Sequence, residues 1–344
     1  MTFLPQSDLQ EVVAQVGPLW NRLRGSRIFL TGGTGFFGLW LAEGFLEANR
    51  SLGLGAELLV LTRDRAAFLC KHPHLAGNPA LGFHQGDVRS FEYPPGHFDW
   101  VIHAATPVVP LATPEAAWET LDTILAGTRH VLDFAAQAKP RRLLFTSSGA
   151  VYGQQPEDLQ GFPEDWHGAP DPLMPASAYG EGKRAAEALC SCHAAVHGYE
   201  SRIARCFAFV GPGLALDSHF AIGNFIRDAL AGRRPMPRGN PATVRSYLYA
   251  SDLATWLWTL LLADDAPVVV NVGSGEAVTL AQLADSVSRV LRPGEHIPMP
   301  AGSAPGPRYV PDVTLAGRKL GLRPTVSLDD SILRTARHAG FRHT

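Results

Sequence analysis

A glycine-rich turn between a strand and a helix is the feature that most constrains the fold of this chain. Residues 27–31 have the pattern of a short buried strand, the glycines follow at once, and residues 36–48 have the apolar spacing of a helix. Gly32 permits a tight turn, Gly35 lets backbone approach a pyrophosphate, and Gly38 lets the helix lie close to the strand. Free N–H groups at the start of such a helix bind anions. The segment therefore predicts a dinucleotide site.

Strand-like and helical segments alternate along the chain after this turn. Such alternation is typical of a parallel sheet with helices on both faces. We therefore predict an α/β fold, a Rossmann-type doubly wound parallel sheet with a smaller, interleaved C-terminal substrate lobe. The further strands are predicted at 57–62, 81–85, 98–103, 141–146, 200–204 and 268–272, and two long helices at 114–138, with Thr113 as N-cap, and 177–198.

The chain is predicted to have three regions. Residues 1–25 form an N-terminal extension, whose amphipathic stretch at 9–23 is expected to pack on the domain surface. Residues 26–210 form the dinucleotide-binding domain, which the late strand near 268–272 rejoins. Residues 211–344 are mostly a substrate-binding lobe.

Composition limits the class of protein. With 344 residues, 46% of them hydrophobic, the chain can bury a large core. The formal net charge of -2 gives no reason to expect nucleic acid or an anionic membrane as a partner. No apolar run is long enough to span a membrane. Four cysteines (Cys70, Cys190, Cys192 and Cys206) are interpreted as buried thiols of a reducing compartment, the cytoplasm, and no metal site is expected.

A tyrosine and a lysine four residues apart predict acid/base chemistry. Tyr179 and Lys183 share one face of a helix, so the ammonium can reach toward the phenol. Free tyrosine titrates near pH ~10, and a nearby cation together with a positively charged cofactor ring would lower that pKa toward neutrality. Ser148 can donate a hydrogen bond to the same substrate oxygen. Since such a pair also occurs by chance, its position after a dinucleotide turn gives it weight.

The motifs, taken in order, resemble the extended short-chain dehydrogenase/reductase family, in particular its nucleotide-sugar epimerases, dehydratases and reductases. The resemblance covers about residues 27–325. It rests on the glycine turn 31–38, Gly86-Asp-Val88, His103-Ala-Ala105, Ser147-Ser-Gly-Ala-Val-Tyr-Gly153, Tyr179-x-x-x-Lys183, Gly211-Pro212, the segment 245–252 and Asn271-Val-Gly-Ser-Gly275.

The resemblance implies a role for each matching residue. Ser148, Tyr179 and Lys183 would perform the chemistry, with Lys183 also on the nicotinamide ribose. Arg245, Arg308 and Asn224 would bind the substrate. The cofactor would contact Gly32, Thr34, Gly35, Phe36, Phe37, Gly38, Thr62, Arg63, Asp87, Val88, Ala104, Ala105, Tyr179 and Lys183. Bland alternatives stay open: Asp87 can cap a helix, the arginines can be solvated charges, and His103 is interpreted as a satisfied buried histidine without chemistry.

Departures from the family pattern narrow the reaction. Related dehydratases carry two acidic residues after the catalytic hydroxyl, and a related decarboxylase carries a glutamate at the second position. This chain has Gly149 and Ala150 there, and neither can move a proton. Dehydration and decarboxylation are therefore disfavoured alternatives. Ala208 stands where similar proteins place an asparagine, and Asn224 is the candidate to replace it.

The end of the second predicted strand bears on the choice of cofactor. A carboxylate there binds the ribose hydroxyls of NAD, whereas an arginine can pair with the 2′-phosphate of NADP. The residues are Thr62, Arg63 and Asp64. We favour NADP(H) on the strength of Arg63, with NAD as the alternative that Asp64 would support.

The predicted function is an oxidoreductase that transfers hydride at a ring carbon, C4 in first place, of a nucleotide-diphosphate sugar, with net epimerisation or 4-keto reduction. The alternative from another class is an NAD(P)-binding regulatory protein without turnover. The resemblance also implies a homodimer built on the helices 114–138 and 177–198.

Overall fold

The computed structural model describes residues 3–107, 111, 113–218, 220–294 and 305–342. Its centre is a sheet of seven strands that all pair in parallel, in the order β10-β6-β5-β4-β1-β2-β3. The strands are β1 Arg27–Thr31, β2 Glu57–Thr62, β3 Leu81–Gln85, β4 Trp100–His103, β5 Arg142–Ser148, β6 Glu200–Cys206 and β10 Val269–Val272. The late strand β10 lies at the edge of this sheet, which confirms the predicted interleaved α/β fold.

Two helical layers cover the two faces of the sheet. The α-helices are α1 Gln6–Val16, α2 Phe36–Leu52, α3 Arg65–Lys71, α4 Pro114–Ala138, α5 Ala178–His197, α6 Ala221–Leu230, α7 Ala250–Leu262, α8 Leu280–Leu291, α9 Thr314–Leu320 and α10 Leu328–His338. One core contains side chains of α1, α2 and α7, and a second contains those of α4 and α5. Adjacent strand residues such as Ile28 and Phe29 therefore point into different cores.

The N-terminal extension packs on the domain through its apolar face. Leu9 and Val12 of α1 and Trp20 of the following 3₁₀ helix are fully buried, whereas Gln10 and Gln15 are exposed. The buried side chains pack with α7, whose residues are buried on all sides because its sequence is apolar all round. The division of the chain at residues 25 and 210 stays a prediction.

Short strands beyond residue 206 build the C-terminal part. β11 Val278–Thr279, β8 Val244–Arg245 and β12 Arg308–Tyr309 form a three-stranded sheet, and β7 Phe209–Val210 pairs with β9 Leu248–Tyr249. α6, α8 and α10 enclose a third core. This part faces the carboxyl end of β5 through β12, as described below for Tyr309.

The four cysteines differ in their exposure to solvent. Cys190 and Cys206 are buried, but Cys70 and Cys192 are exposed, so the interpretation of all four cysteines as buried thiols is wrong for those two. Both exposed thiols lie on the outer faces of helices α3 and α5.

Among the described residues no helix is long and apolar enough to cross a membrane. A cytoplasmic location stays a prediction.

The turn between β1 and α2 is held together by close backbone packing. Gly32 has φ of 72°, and a Cβ there would lie 2.5 Å from the backbone carbon of Ala104. A Cβ on Gly38 would lie 2.3 Å from the carbonyl oxygen of Gly32. Both distances are far below van der Waals contact, so the sequence needs glycine at both positions.

We predict that Gly38→Ala destabilises the protein and weakens dinucleotide binding, because the methyl group would push α2 away from the turn. The loss should be about 1–3 kcal/mol in the free energy of unfolding, the usual cost of overpacking. Urea denaturation would measure it. Gly44→Ala in the same helix is the control, since a Cβ there meets only Val12 at 3.4 Å and the helix gains propensity. Equal destabilisation by both changes would contradict the account.

Candidate active site

The carboxyl end of β5 and the first turns of α5 bring the three predicted catalytic residues together. Ser148 is the last residue of β5 and is buried, and Tyr179 and Lys183 lie one turn apart in α5. The Ser148 hydroxyl faces the Tyr179 phenol and opposes the rise in the pKa of Tyr179 that burial causes. The hydroxyl oxygen also accepts the N–H of Ala150 at 3.2 Å. A reacting oxygen placed between Ser148 and Tyr179 would meet two hydroxyl groups.

Lys183 is buried, and its ammonium donates two hydrogen bonds. Its Nζ donates to the carbonyl oxygen of Thr146 and to Oγ1 of Thr106, both at 2.7 Å, and lies 4.6 Å from the ring centre of Phe145. Burial lowers the pKa of Lys183 to about 8. Thr106 directly follows the loop 103–105, so the contact links α5 to the end of β4 as well as to β5.

The expected effect on the Tyr179 phenol depends on a bound cofactor as well as on Lys183. Burial raises the pKa of Tyr179 to about 12, and Ser148 opposes that rise. Nζ of Lys183 lies 5.9 Å from the Tyr179 ring centre and is directed at Thr106 and Thr146. That the lysine charge and a cofactor ring together depress this pKa stays a prediction.

A second tyrosine lies in the site and was missed by the sequence reasoning. The Oη of Tyr309 lies 3.3 Å from the Ser148 hydroxyl and 3.4 Å from the carbonyl oxygen of Cys206, and its ring packs on Phe207. Burial raises the pKa of Tyr309, and the neighbouring Tyr179 raises it further. Sequence periodicity could not indicate Tyr309, because its strand β12 is only two residues long.

A buried ion pair between Glu187 and Arg205 lies next to the carboxyl end of β5. Ser147 donates to Oε1 of Glu187 at 2.5 Å, and Arg205 of β6 binds the same carboxylate with an Nη2–Oε2 distance of 2.7 Å. Glu187 lies one turn beyond Lys183 in α5, on the same helix face. The pair therefore ties α5 to β5 and β6 directly beside the catalytic residues.

The glycine turn fits a dinucleotide. No side chain of the described residues caps the start of α2, so its first N–H groups are available to a phosphate. Thr34 and Gly35 are exposed there, and Phe36, Phe37 and Gly38 form the first turn of the helix. The backbone N–H groups of Ala104 and Ala105 donate to Oγ1 of Thr31 at 3.2 and 3.1 Å, which holds that loop against Gly32.

The end of β2 presents a cation rather than a carboxylate. Arg63 is exposed and forms no hydrogen bond or ion pair within the described part of the chain. Asp64 is the N-cap of α3, where its Oδ1 accepts the N–H of Ala67 at 2.8 Å. Thr62 is buried and accepts the N–H of Asp64 at 3.3 Å. The carboxylate that would favour NAD is thus already used by the helix.

Asp87, Val88 and His103 are held by local contacts. Asp87 accepts both the backbone N–H and the Nε of Arg89, at 2.9 and 3.0 Å, and Arg89 lowers its pKa. Val88 is buried below α4, where Gly127 leaves room for it. The two ring nitrogens of His103 bond to Thr31 and Thr128, and burial lowers the pKa of His103 to about 3. His103 is thus a neutral, satisfied core residue, as expected.

The structure brings two of the four predicted substrate residues, Ser148 and Arg245, to the site. Arg245 of β8 is half-buried and lies 5.8 Å from the Tyr309 ring centre. Its Nη1 donates to the backbone carbonyl oxygens of Val244 and Pro307, at 2.8 and 3.3 Å, and it forms no salt bridge with a carboxylate of the described residues. Burial lowers its pKa, as expected for a guanidinium without a counter-charge.

Arg308 and Asn224 are engaged elsewhere. Arg308 donates twice to the carbonyl oxygen of Gln160, at 3.1 and 2.8 Å, and lines a cleft of about 440 Å³ with Gln154, Gln155 and Glu157. Strand alternation explains this placement, because Tyr309 occupies the direction toward Ser148. Asn224 of α6 donates to the carbonyl oxygens of Ser218 and Phe220. Neither residue contacts Ser148, Tyr179 or Arg245.

Comparison with known proteins agrees with this fold. The sequence model of the NAD-dependent epimerase/dehydratase family matches residues 28–273. UDP-glucuronic acid decarboxylase 5 from Arabidopsis thaliana is 31% identical over 89% of this chain and 87% of its own length. UDP-glucuronic acid decarboxylase 1 from Danio rerio is 29% identical, with 91% and 72% covered. The chain therefore belongs to the NAD-dependent epimerase/dehydratase family, as its resemblance to extended short-chain dehydrogenases predicts.

Solved structures give the same fold. A UDP-galactose 4-epimerase is 27% identical, with a TM-score of 0.68, over 91% of this chain and 98% of that one. The UDP-glucose 4-epimerase of Thermotoga maritima, solved with UDP-glucose, is 20% identical with a TM-score of 0.74, over the same shares of both chains. The second match concerns the fold alone. Both agree with the seven-stranded parallel sheet described above.

The arrangement has a definite chemical capacity. A bound nicotinamide dinucleotide supplies hydride transfer to or from a carbon atom. The chain's own groups are two hydroxyls, on Ser148 and Tyr179, that can bind one oxygen on that carbon, and a phenol that can exchange its proton. Such a set contains the groups that interconversion of an alcohol and a ketone requires.

Proposed function

We propose that the protein transfers hydride at a ring carbon, C4 in first place, of a nucleotide-diphosphate sugar. The observation that carries the proposal is the convergence of Ser148 and Tyr179 beside the buried Lys183, within reach of a glycine turn that suits a dinucleotide. Nucleotide-diphosphate sugars as the substrate class are supported by the similar proteins named above, which are UDP-glucuronic acid decarboxylases and UDP-sugar epimerases.

Net epimerisation or ketone reduction fits the site better than elimination. Positions 149 and 150 carry no acid, and a Cβ on Gly149 would lie 2.5 Å from the Phe207 ring. The Phe207 ring thus occupies the space in which an acidic side chain at position 149 would lie. Among the described residues, the phenols of Tyr179 and Tyr309 lie beside Ser148 and can exchange protons with a substrate, which suits oxidation and reduction without loss of water.

Decarboxylation is the second candidate, because the curated relatives named above are UDP-glucuronic acid decarboxylases. Incubation with UDP-glucuronic acid and dinucleotide distinguishes the two reactions. Release of carbon dioxide would favour decarboxylation, whereas turnover of neutral UDP-sugars without carbon dioxide favours hydride transfer alone. A third candidate is a regulatory dinucleotide-binding protein. In that case no nucleotide sugar would be converted, but the dinucleotide or the nucleotide sugar would still raise the melting temperature.

Replacement of Tyr179 by phenylalanine tests the catalytic assignment. The change removes the exchangeable proton, so kcat/KM should fall by about 10²- to 10⁴-fold while the dissociation constant for the dinucleotide stays nearly unchanged. Steady-state kinetics and fluorescence titration measure the two quantities. Tyr93→Phe is the control, since that phenol contacts His130 of α4 and lies outside the site. Full turnover by Tyr179→Phe would refute the assignment.

We further propose that Arg245 binds the diphosphate of the substrate. A half-buried guanidinium without a carboxylate partner suits a phosphate, which can take two parallel hydrogen bonds. Arg245→Ala should raise KM for the nucleotide sugar by roughly 10- to 100-fold, because a hydrogen bond to a charged group contributes about 1.5–3 kcal/mol. Arg308→Ala should change KM much less, since the Arg308 side chain points away from Tyr309 and Ser148, toward Gln160. The reverse order of effects would contradict the proposal.

NADP(H) is the proposed cofactor form. Exposed Arg63 is free to pair with a 2′-phosphate, and Asp64 caps α3 instead of a ribose. Solved structures of similar proteins with NAD make NAD the alternative. Arg63→Ala should weaken NADP(H) by about tenfold or more and leave NAD unaffected. Arg65→Ala, which removes a neighbouring cation that stacks on Phe83, is the control. Tighter binding of NAD than of NADP by the unmodified protein would refute this proposal.

We propose a homodimer built on α4 and α5. The two helices pack side by side and expose Trp118 and Val196, whose side chains are 70% and 78% accessible. Sedimentation velocity should give a dimer, and Trp118→Glu should shift it toward the monomer. Val268→Glu, which changes an exposed residue outside these helices, should not. A monomeric unmodified protein at micromolar concentration would exclude this assembly.

A further inference from the structure

A cluster of three side chains of the metal-ligand type lies far from the candidate active site. Glu43 belongs to α2, and His72 and His74 follow the end of α3. One potential ligand atom of each residue lies within 4.8 Å of the other two. α2 packs with α1 and α7, on the face of the sheet opposite to α4 and α5. The cluster is therefore separate from Tyr179.

His74 and Glu43 are in direct contact. Nε2 of His74 lies 2.8 Å from Oε1 of Glu43 and 3.3 Å from the backbone nitrogen of Phe3. The Phe3 N–H also faces the Glu43 carboxylate, so it keeps an acceptor when Nε2 binds elsewhere. Imidazole nitrogen and carboxylate oxygen are both metal ligands, so a divalent cation between Nε2 and Oε1 would replace their direct contact.

His72 provides an independent observation. The side chain is 9% exposed, and its Nδ1 is buried with no hydrogen-bond partner among the described residues. The rings of Phe3 and Phe68 pack on it with centroid distances of 4.6 and 4.8 Å. A buried polar atom without a partner costs stability and is rare in folded proteins. A ligand that takes up an imidazole lone pair would remove that cost.

We propose that Glu43, His72 and His74 form a binding site for a divalent transition metal, with zinc as the ion that suits these ligands best. Two imidazoles and one carboxylate are a set that zinc accepts, with water in a fourth position, whereas Mg²⁺ and Ca²⁺ prefer oxygen ligands throughout. Ligand atoms around tetrahedral zinc lie about 3.4 Å apart. The three side chains therefore need only small adjustments to close on an ion.

The position of the site indicates a structural role. Glu43 is buried, and its second oxygen accepts the N–H of Leu4 at 3.3 Å. A metal ion here would tie the N-terminal segment, α2 and the turn after α3 to one another. Binding should then raise thermal stability by mass action.

The test uses the full chain without a histidine tag, treated with a chelator and dialysed. Titration calorimetry with zinc chloride should give one ion per chain, and thermal unfolding should show a higher melting temperature with zinc but not with magnesium chloride. His72→Ala loses no hydrogen bond of Nδ1, so it is the cleanest variant. Its zinc affinity should fall by more than about 100-fold, because loss of a direct ligand exceeds the roughly 10- to 100-fold loss seen for outer partners.

His84→Ala is the matched control, since that histidine bonds to the carbonyl oxygen of Glu92 outside the cluster. It should bind zinc like the unmodified protein. Should His72→Ala fail to fold by circular dichroism, His72→Phe keeps a ring between Phe3 and Phe68 and replaces it. Absence of stoichiometric zinc binding by the unmodified protein, or equal affinity in the folded His72 variant, would overturn the proposal.

Discussion

The buried ammonium of Lys183 is the interaction on which the geometry of the site depends. It joins three separate parts of the chain, because α5 supplies the lysine, β5 supplies the Thr146 carbonyl, and the loop after β4 supplies the Thr106 hydroxyl. A buried charge is costly unless hydrogen bonds satisfy it, and the lowered pKa of Lys183, about 8, reflects that cost. The rotation of α5 about its axis is thereby fixed. Tyr179, one turn earlier, must then face Ser148.

The C-terminal part completes the site from the other side. Tyr309 and Arg245 lie next to each other in the three-stranded sheet, with their residues paired in register. That sheet combines β8, which precedes β10 in the chain, with β11 and β12, which follow β10. Because of this interleaving, the groups proposed to bind the reacting oxygen and the substrate diphosphate come from different regions of the chain. Movement between these regions would change both at once.

Much of the fold was predictable from local sequence signals. Helix α4 has the predicted bounds, with Thr113 as its N-cap, because proline at the first position and a long amphipathic pattern define it. The spacing of Tyr179 and Lys183 placed both on one helix face. The burial of α1 was not predictable, since it depends on α7, which lies far away in sequence and has no polar face.

The site was predictable only where motifs are contiguous. Tyr309 was missed because a two-residue strand carries no periodicity, and its pairing with β8 is a long-range contact. The same pairing explains Arg308, whose side chain takes the opposite direction from Tyr309. Helical spacing gives the proximity of Lys183 to Tyr179 but not the direction of its ammonium. That direction is set by Thr106 and Thr146.

The most direct test of hydride transfer at C4 follows an isotope. The protein would be incubated with NAD or NADP and a UDP-hexose carrying deuterium at C4, and the cofactor and sugar would be separated and analysed by mass spectrometry and NMR. Transfer between carbon centres predicts deuterium in the reduced nicotinamide, or its return to C4 of an epimer, without exchange into water. Conversion of the sugar with deuterium lost to solvent, and none ever recovered in the nicotinamide or at C4, would contradict the account.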